Sequence, residues 1–282
     1  MKREQTMKGL KQKIQRLARE NDIDLIGFSS VERFREAPPG KRPTDLLKDA
    51  KTVISFGIGI RKGVREANIK AYEGLRPSIY IYMIFGYNLL NTLLNQCAFK
   101  IAKLLEEKKF IAVPIPSSPP AEYRRLMGVF SNRHAAVASG LGNFGWQSLL
   151  LTPQFGPRLR LGSVITNAEI KEDPLLTESL CKGENCMVCV KVCPVKAIHP
   201  EEGVELEIGG TRYRYSTIDK WRCRIGEQGH AKLTLGYTEY DGSGEVNGET
   251  YLQRLKEEDP WQRLERQGPY CGRCIIHCPV GL

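Results

Sequence analysis

No stretch of this 282-residue chain is apolar enough to cross a bilayer. The longest apolar run, Ile79 to Leu94, is broken by Tyr80, Tyr82, Gly86, Asn88 and Asn91, too polar for a span of about 20 residues in hydrocarbon. No apolar core of a signal peptide follows the basic N-terminal residues Lys2, Arg3, Lys8, Lys11 and Lys13 either. A cytoplasmic protein with no membrane partner is therefore expected. Without an export signal, disulfides are not expected from the nine cysteines.

Those cysteines carry most of the information. Cys186, Cys189 and Cys193 read C-x2-C-x3-C-P, and Cys271, Cys274 and Cys278 repeat it 85 residues later, each group ending in Cys-Pro-Val. Cys181 precedes the first group, and Cys223 lies 48 residues ahead of Cys271. Eight thiolates suffice for two [4Fe–4S] clusters. In two-cluster ferredoxins the cysteine before proline ligates the other group's cluster. Carried onto this chain, Cys181, Cys186, Cys189 and Cys278 would hold one cluster, and Cys193, Cys223, Cys271 and Cys274 the other. Structural zinc also favours paired C-x2-C units, but its ribbons need no third cysteine at x3 followed by proline.

An apolar fraction of 41% with 26% charged residues is ordinary for a globular protein. The formal charge of +10 suits an anionic partner such as a phosphate-rich cofactor, an acidic redox protein or nucleic acid. Arg212, Arg214, Lys220, Arg222 and Arg224 alternate with Tyr213, Tyr215 and Trp221. That pattern superficially suits a nucleic-acid surface; a strand with alternating faces running into a helix accounts for it better.

Apolar residues at helical spacing over 7–20 and 80–109, and short apolar runs at 24–29 and 51–60, predict helices and buried strands. Four prolines between Ile111 and Pro120 predict a shaped loop. Residues 133–139 read as a short helix and 158–166 as a strand, while Gly209-Gly210 marks a hairpin turn and Asp241-Gly-Ser-Gly a loop tip. An α/β or α+β core over 1–172 is expected, followed by a cluster-binding module over 173–282.

Gly140-Leu-Gly142-Asn143-Phe-Gly145 matches G-x-G-x-x-G formally. A dinucleotide fingerprint needs a strand before it and a helix after it. Here a helix precedes and a proline-bounded segment follows, so the glycines instead suggest close backbone approach to a flat ligand.

The run from Arg133 through Gly145-Trp146, the segment from Leu149 to Thr166 and the two cysteine groups, in that order, resemble the epoxyqueuosine reductase family and, more distantly, corrinoid reductive dehalogenases. The resemblance spans residues 80–282. It implies an α+β architecture, a nitroreductase-like domain holding base-off cobalamin and joined to a ferredoxin-like double [4Fe–4S] domain. It places Arg133, Gly140, Gly142, Asn143 and Gly145 at the cofactor. Such proteins lack the D-x-H-x-x-G motif of other corrinoid proteins, as this chain does.

Two departures bear on activity. Where the family carries a proton-donating aspartate, seven residues before Arg133, this chain has Leu126, and the family's C-terminal region that helps hold tRNA would lie beyond Leu282. A paralogue with a small-molecule or cofactor substrate is expected rather than one acting on tRNA, reduced by an external donor such as ferredoxin or flavodoxin. Tyr123, between Glu122 and Arg124-Arg125, and His134 are the alternative proton donors; each residue type is more often structural. Cys97 reads as a packing thiol, and His199 and His277 lie beside cluster cysteines. Two further readings stay open: an electron-transfer protein or reductive activator of a corrinoid enzyme or metalloenzyme, and a flavin-dependent reductase on the same scaffold.

Overall fold

The computed structural model describes residues 2–118, 122, 124–227, 244–257 and 271–282. Tyr123 and the Asp241 loop tip lie outside the described residues.

The chain opens with α1 (Lys2–Arg19), β1 (Leu25–Ser30), the short α2 (Pro43–Leu46), β2 (Thr52–Gly59) and α3 (Lys62–Tyr72). A helical run follows as α4 (Ile79–Ile81), a π-helical stretch (Tyr82–Asn88) and α5 (Leu89–Glu107). Then come β3 (Ala112–Ile115), α6 (Asn132–Ala138), β4 (Asn143–Phe144), β5 (Leu150–Leu151) and β6 (Leu159–Thr166). Strands β1, β2, β6 and β3, in that spatial order, form an antiparallel sheet.

Strand β2 is buried along its whole length because both sheet faces are covered. Its period of two sends Ile54, Phe56 and Ile58 into a core with Leu94, Cys97, Ile101 and Leu105 of α5 and turns Val53 to the opposite core with Ala135–Ala138 of α6. The helices and strands predicted for these segments are present.

One expectation is corrected: the proline-rich segment is not all loop, since Ala112–Ile115 pairs with β6. Pro114 is tolerated there because β3 is an edge strand, with no ladder partner on its other side among the described residues.

The rest of the described chain comprises α7 (Val188–Lys191), a hairpin of β7 (Ile198–Ile208) and β8 (Thr211–Ile218), α8 (Lys220–Glu227), α9 (Gly248–Glu257) and α10 (Arg273–Ile276). Gly209 and Gly210, both at positive φ, form the hairpin turn. The basic run is, as expected, a strand leading into a helix, with Arg212 and Arg214 exposed and Tyr213 buried. The hairpin does not stand free. Ile208 and Tyr213 share a core with Phe34, Phe130 and Phe144.

Candidate redox centre

The two cysteine motifs repeat in the backbone as well as in sequence. Each C-x2-C turns through a left-handed residue, Met187 (φ 46°) in the first and Gly272 (φ 86°) in the second, and then enters a four-residue helix, α7 or α10. Three residues after each proline-preceding cysteine the chain is left-handed again, at Lys196 (φ 51°) and Gly281 (φ 69°). Glycine meets this geometry without strain, whereas Met187 and Lys196 adopt it against their side chains. At Gly272 there is a further reason: a Cβ would lie 2.8 Å from the Tyr82 hydroxyl.

Cys181, Cys186, Cys189 and Cys278 line one cavity of about 250 Å³, walled by Trp146, Leu151, Met187 and Val280. Burial first, and then Cys181, Cys278 and Cys186, push the Cys189 thiol up to about 11. In the other quartet, Cys274 is driven well above the usual thiol range by desolvation and then by Cys271, Cys223 and Cys193. Thiols such as Cys189 and Cys274, whose ionisation is penalised by burial and by neighbouring cysteines, suit a positively charged inorganic core that would take them as thiolates. Among the described residues no three His, Cys, Asp or Glu side chains close on a point one metal ion would fill. Cys97, the ninth cysteine, is fully buried in α5, its thiol pushed to about 12 by burial.

Distant residues hold these motifs. The Trp146 and Gly183 amides each donate to Cys181 Sγ at 3.4 Å, and the Ala197 amide donates to Cys193 Sγ at 3.2 Å. Arg158, just before β6, donates to the carbonyls of Cys278 (2.8 Å) and Val280, with Cys278 also acting on its charge. From α3, Arg65 donates to Ile276 O at 3.2 Å and Asn68 to Cys271 O at 3.1 Å. The Tyr72 hydroxyl, held protonated by burial, hydrogen-bonds Cys271, and Tyr82 faces Cys271 and Cys274. The Gly183 and Ala197 amides lie two and four residues from their cysteines; the other anchors, not singled out as such from sequence, lie tens to hundreds of residues from the cysteine motif they support.

The family-like residues come together on α6 and the turn after it. Arg133 donates through Nη1 to the carbonyl of Ser148 and, at 2.7 Å, to its hydroxyl. His134 is bonded at both nitrogens, Nδ1 to Ser131 Oγ at 2.6 Å and Nε2 to Tyr215 Oη at 3.1 Å. Burial, and then the neighbouring Arg133 charge, lower its pKa to about 3. A neutral imidazole engaged at both nitrogens fits a packing and positioning group. Because unfolded histidine binds a proton near pH 6.5 and His134 does not, stability falls as pH drops from 6.5 towards 3. We expect about 2 kcal/mol to be lost between pH 6.5 and 5 at 1.36 kcal/mol per unit. Denaturant titrations of the wild type and His134→Gln would show this, the variant having the flatter profile over that interval.

The glycines of the turn are hemmed in by the protein itself. A Cβ on Gly142 would lie 1.9 Å from Leu151 O, one on Gly140 2.0 Å from Pro174 O and one on Gly145 2.5 Å from Gln147 Oε1. Their missing side chains make room for the protein's own backbone and side chains. Two neighbouring carbonyl oxygens, Oδ1 of Asn132 and Oδ1 of Asn143, are buried without a donor among the described residues. A corrin, rimmed with primary amides, would supply such donors, so these residues remain compatible with that group. Leu126, at the family's donor position, sits at φ 48° in the loop before α6 and cannot supply a proton.

No family profile matches the chain. Over 216 residues it is 26% identical to the epoxyqueuosine reductase of Lactococcus garvieae, covering 68% of this chain and 57% of that protein. Over 185 residues it is 29% identical to a tetrachloroethene reductive dehalogenase of Desulfitobacterium hafniense, covering 64% and 28% respectively. The chain thus spans little more than half the length of the epoxyqueuosine reductases it matches. An epoxyqueuosine reductase crystallised with a tRNA stem loop superposes with a TM-score of 0.56 at 16% identity, over 98% of this chain and 66% of that one. A reductive dehalogenase described as B12-dependent superposes at 0.52 and 17% identity, over 93% and 34%. In sequence and in fold, the chain is epoxyqueuosine reductase-like, with reductive dehalogenases among its relatives.

Proposed function

We propose that this protein is a reductase that passes low-potential electrons through two [4Fe–4S] clusters to a cobalamin, which reduces a small molecule. The observation that carries the reading is the four-cysteine cavity, built from three separate chain segments. The relatives add to it, being named as reductases. When bound, the clusters would supply single electrons and the cobalamin a metal centre able to hand them to a carbon–heteroatom bond.

The chain's own residues would tune and shield that centre. Amide donors on Cys181 and Cys193 and the Tyr72 hydroxyl on Cys271 favour the more negative, reduced state of a cluster. Trp146, buried against Cys181, with Leu151 and Val280, keeps water from the sulfurs. Leu126 supports a substrate other than epoxyqueuosine in tRNA, because a lost general acid commonly costs about 10²–10⁴-fold. With His134 engaged and neutral, Tyr123 is the remaining donor of those read from sequence. The +10 charge suits an acidic electron donor such as a ferredoxin or flavodoxin.

Anaerobically reconstituted protein is expected to bind about eight irons and eight sulfides per chain, two cubanes' worth. Titration with cob(II)alamin, followed by electron paramagnetic resonance, is expected to abolish the splitting from the lower nitrogen ligand. Zinc in place of iron would reject the cluster assignment. An unchanged cobalamin spectrum well above micromolar concentration would reject the corrin site and favour an activator or a flavin enzyme.

A further inference from the structure

Among the described residues, the side-chain nitrogens buried without a hydrogen-bond acceptor are Gln147 Nε2 and Arg273 Nε. Both lie at the cysteine quartets. Arg273 sits inside the second C-x2-C motif, and Gln147 lines the cavity of Cys181, Cys186, Cys189 and Cys278. Gln147 is the more telling, because it belongs to neither motif and is only 5% exposed. Leaving a buried amide donor unpaired is destabilising, and such a group in a native fold calls for a partner.

The backbone holds this side chain in place from both directions. Before it, the Trp146 amide donates to Cys181 Sγ at 3.4 Å, and the Ser216 amide of the hairpin donates to Trp146 O at 2.8 Å. After it, the Ser148 amide closes a turn onto Gly145 O at 2.9 Å, and the Ser148 hydroxyl accepts from Arg133. Gly145 makes room for the side-chain amide, since a Cβ there would lie 2.5 Å from Gln147 Oε1 and 3.0 Å from its Cδ. No cysteine sulfur of the cavity is a hydrogen-bond partner of Nε2, so the missing acceptor is not one of the chain's own thiols. A water would need two to four polar partners, and Trp146, Leu151 and Val280 make much of the wall apolar.

We propose that Gln147 donates a hydrogen bond from Nε2 to an inorganic sulfide of the cluster held in this cavity, and so raises that cluster's reduction potential. The proposal rests on the iron–sulfur reading above. Reduction by one electron makes the cluster sulfurs more negative, which strengthens the N–H contact and favours the reduced state. The electron comes from the external donor, or from the titrant in the test. The proton stays on Nε2.

The test is an anaerobic redox titration of the reconstituted full-length chain, followed by electron paramagnetic resonance of the reduced cluster. It is run in the Cys274→Ala background, which is expected to keep only the cluster of this cavity. There Gln147→Met is expected to shift the ratio of reduced to oxidised cluster about tenfold towards oxidised, or about 59 mV for one electron. Gln147→Asn retains the amide one methylene further back and is expected to shift less. In the Cys189→Ala background, which keeps the other cluster, Gln147→Met is expected to leave the potential unchanged. After exchange into D2O, Gln147→Met is also expected to lose one of the deuterons coupled to the reduced cluster. If Gln147→Met does not hold its iron, Gln147→Asn carries the comparison. Equal potentials in the parent and in whichever variant retains its iron, or a shift confined to the Cys189→Ala background, overturn the proposal. Zinc in place of iron removes the cluster reading and this proposal with it, whereas intact clusters indifferent to Gln147 remove this proposal alone.

Discussion

Alanine at Cys278 is expected to destroy the cluster of the first cysteine motif, although Cys278 belongs to the second. Cys278 lines the same cavity as Cys181, Cys186 and Cys189, and it is among the groups acting on Cys189. Its nearest sequence partners act elsewhere: Cys274 responds to Cys271, Cys223 and Cys193. In the proposed arrangement the chain crosses between the sites after each C-x2-C helix, as in two-cluster ferredoxins. Iron should fall from about eight to about four per chain, the complement of one lost cubane. Double variants identify which four. Cys278→Ala with Cys189→Ala should lose no more iron than either alone, because both act on one site. Cys278→Ala with Cys274→Ala should lose nearly all of it, because independent sites add. The reverse pattern of losses would disprove the crossed assignment. Cys223→Ala belongs with Cys274→Ala in this scheme, and Cys97→Ala, buried in α5, should retain both clusters.

Local features of this chain could be read from sequence and remote ones could not. The cysteine spacing is local, and its repeat reappears as paired left-handed turns and four-residue helices. Helical and strand periods over α5, β2 and β6 were equally plain, because a two-sided core imposes apolar runs of fixed period. Strand β3 was hidden by proline, whose lost amide matters only where a ladder partner exists, and edge position is a property of the assembled sheet. Tyr72, Asn68 and Arg65 carried no signal, and Trp146 and Arg158 none as anchors, because their partners lie between 35 and 211 residues away in sequence, as Trp146 to Cys181 and Arg65 to Ile276 illustrate. The glycine turn admits an attribution to the fold as well as to a ligand: its spacing is local, whereas the carbonyls of Leu151 and Pro174 that crowd it arrive from outside the motif.

That attribution can be decided by substitution. Gly142→Val places a Cβ 1.9 Å from Leu151 O, and a backbone carbonyl cannot step aside as a flexible side-chain tip can. Adjacent residues pair directly across this contact, Asn143 with Leu151 and Phe144 with Leu150, and Phe144 packs against Tyr213 and Tyr215 of the hairpin. Relief would therefore separate β4 from β5 or move the hairpin. Overpacking commonly costs about 1–3 kcal/mol, and more where backbone must shift. We expect about 3 kcal/mol, or roughly 10 °C in Tm for a chain of this size. Gly63→Ala is the control, since nothing lies within 4 Å of its Cβ and alanine in the first turn of α3 should stabilise by up to about 1 kcal/mol. Thermal unfolding of apoprotein separates the two explanations of the turn, because a glycine kept for a ligand matters only when that ligand is bound. A Gly142→Val apoprotein that melts like wild type and yet loses cobalamin affinity would restore the flat-ligand explanation; a large drop in Tm without any cofactor present assigns the glycine to the fold.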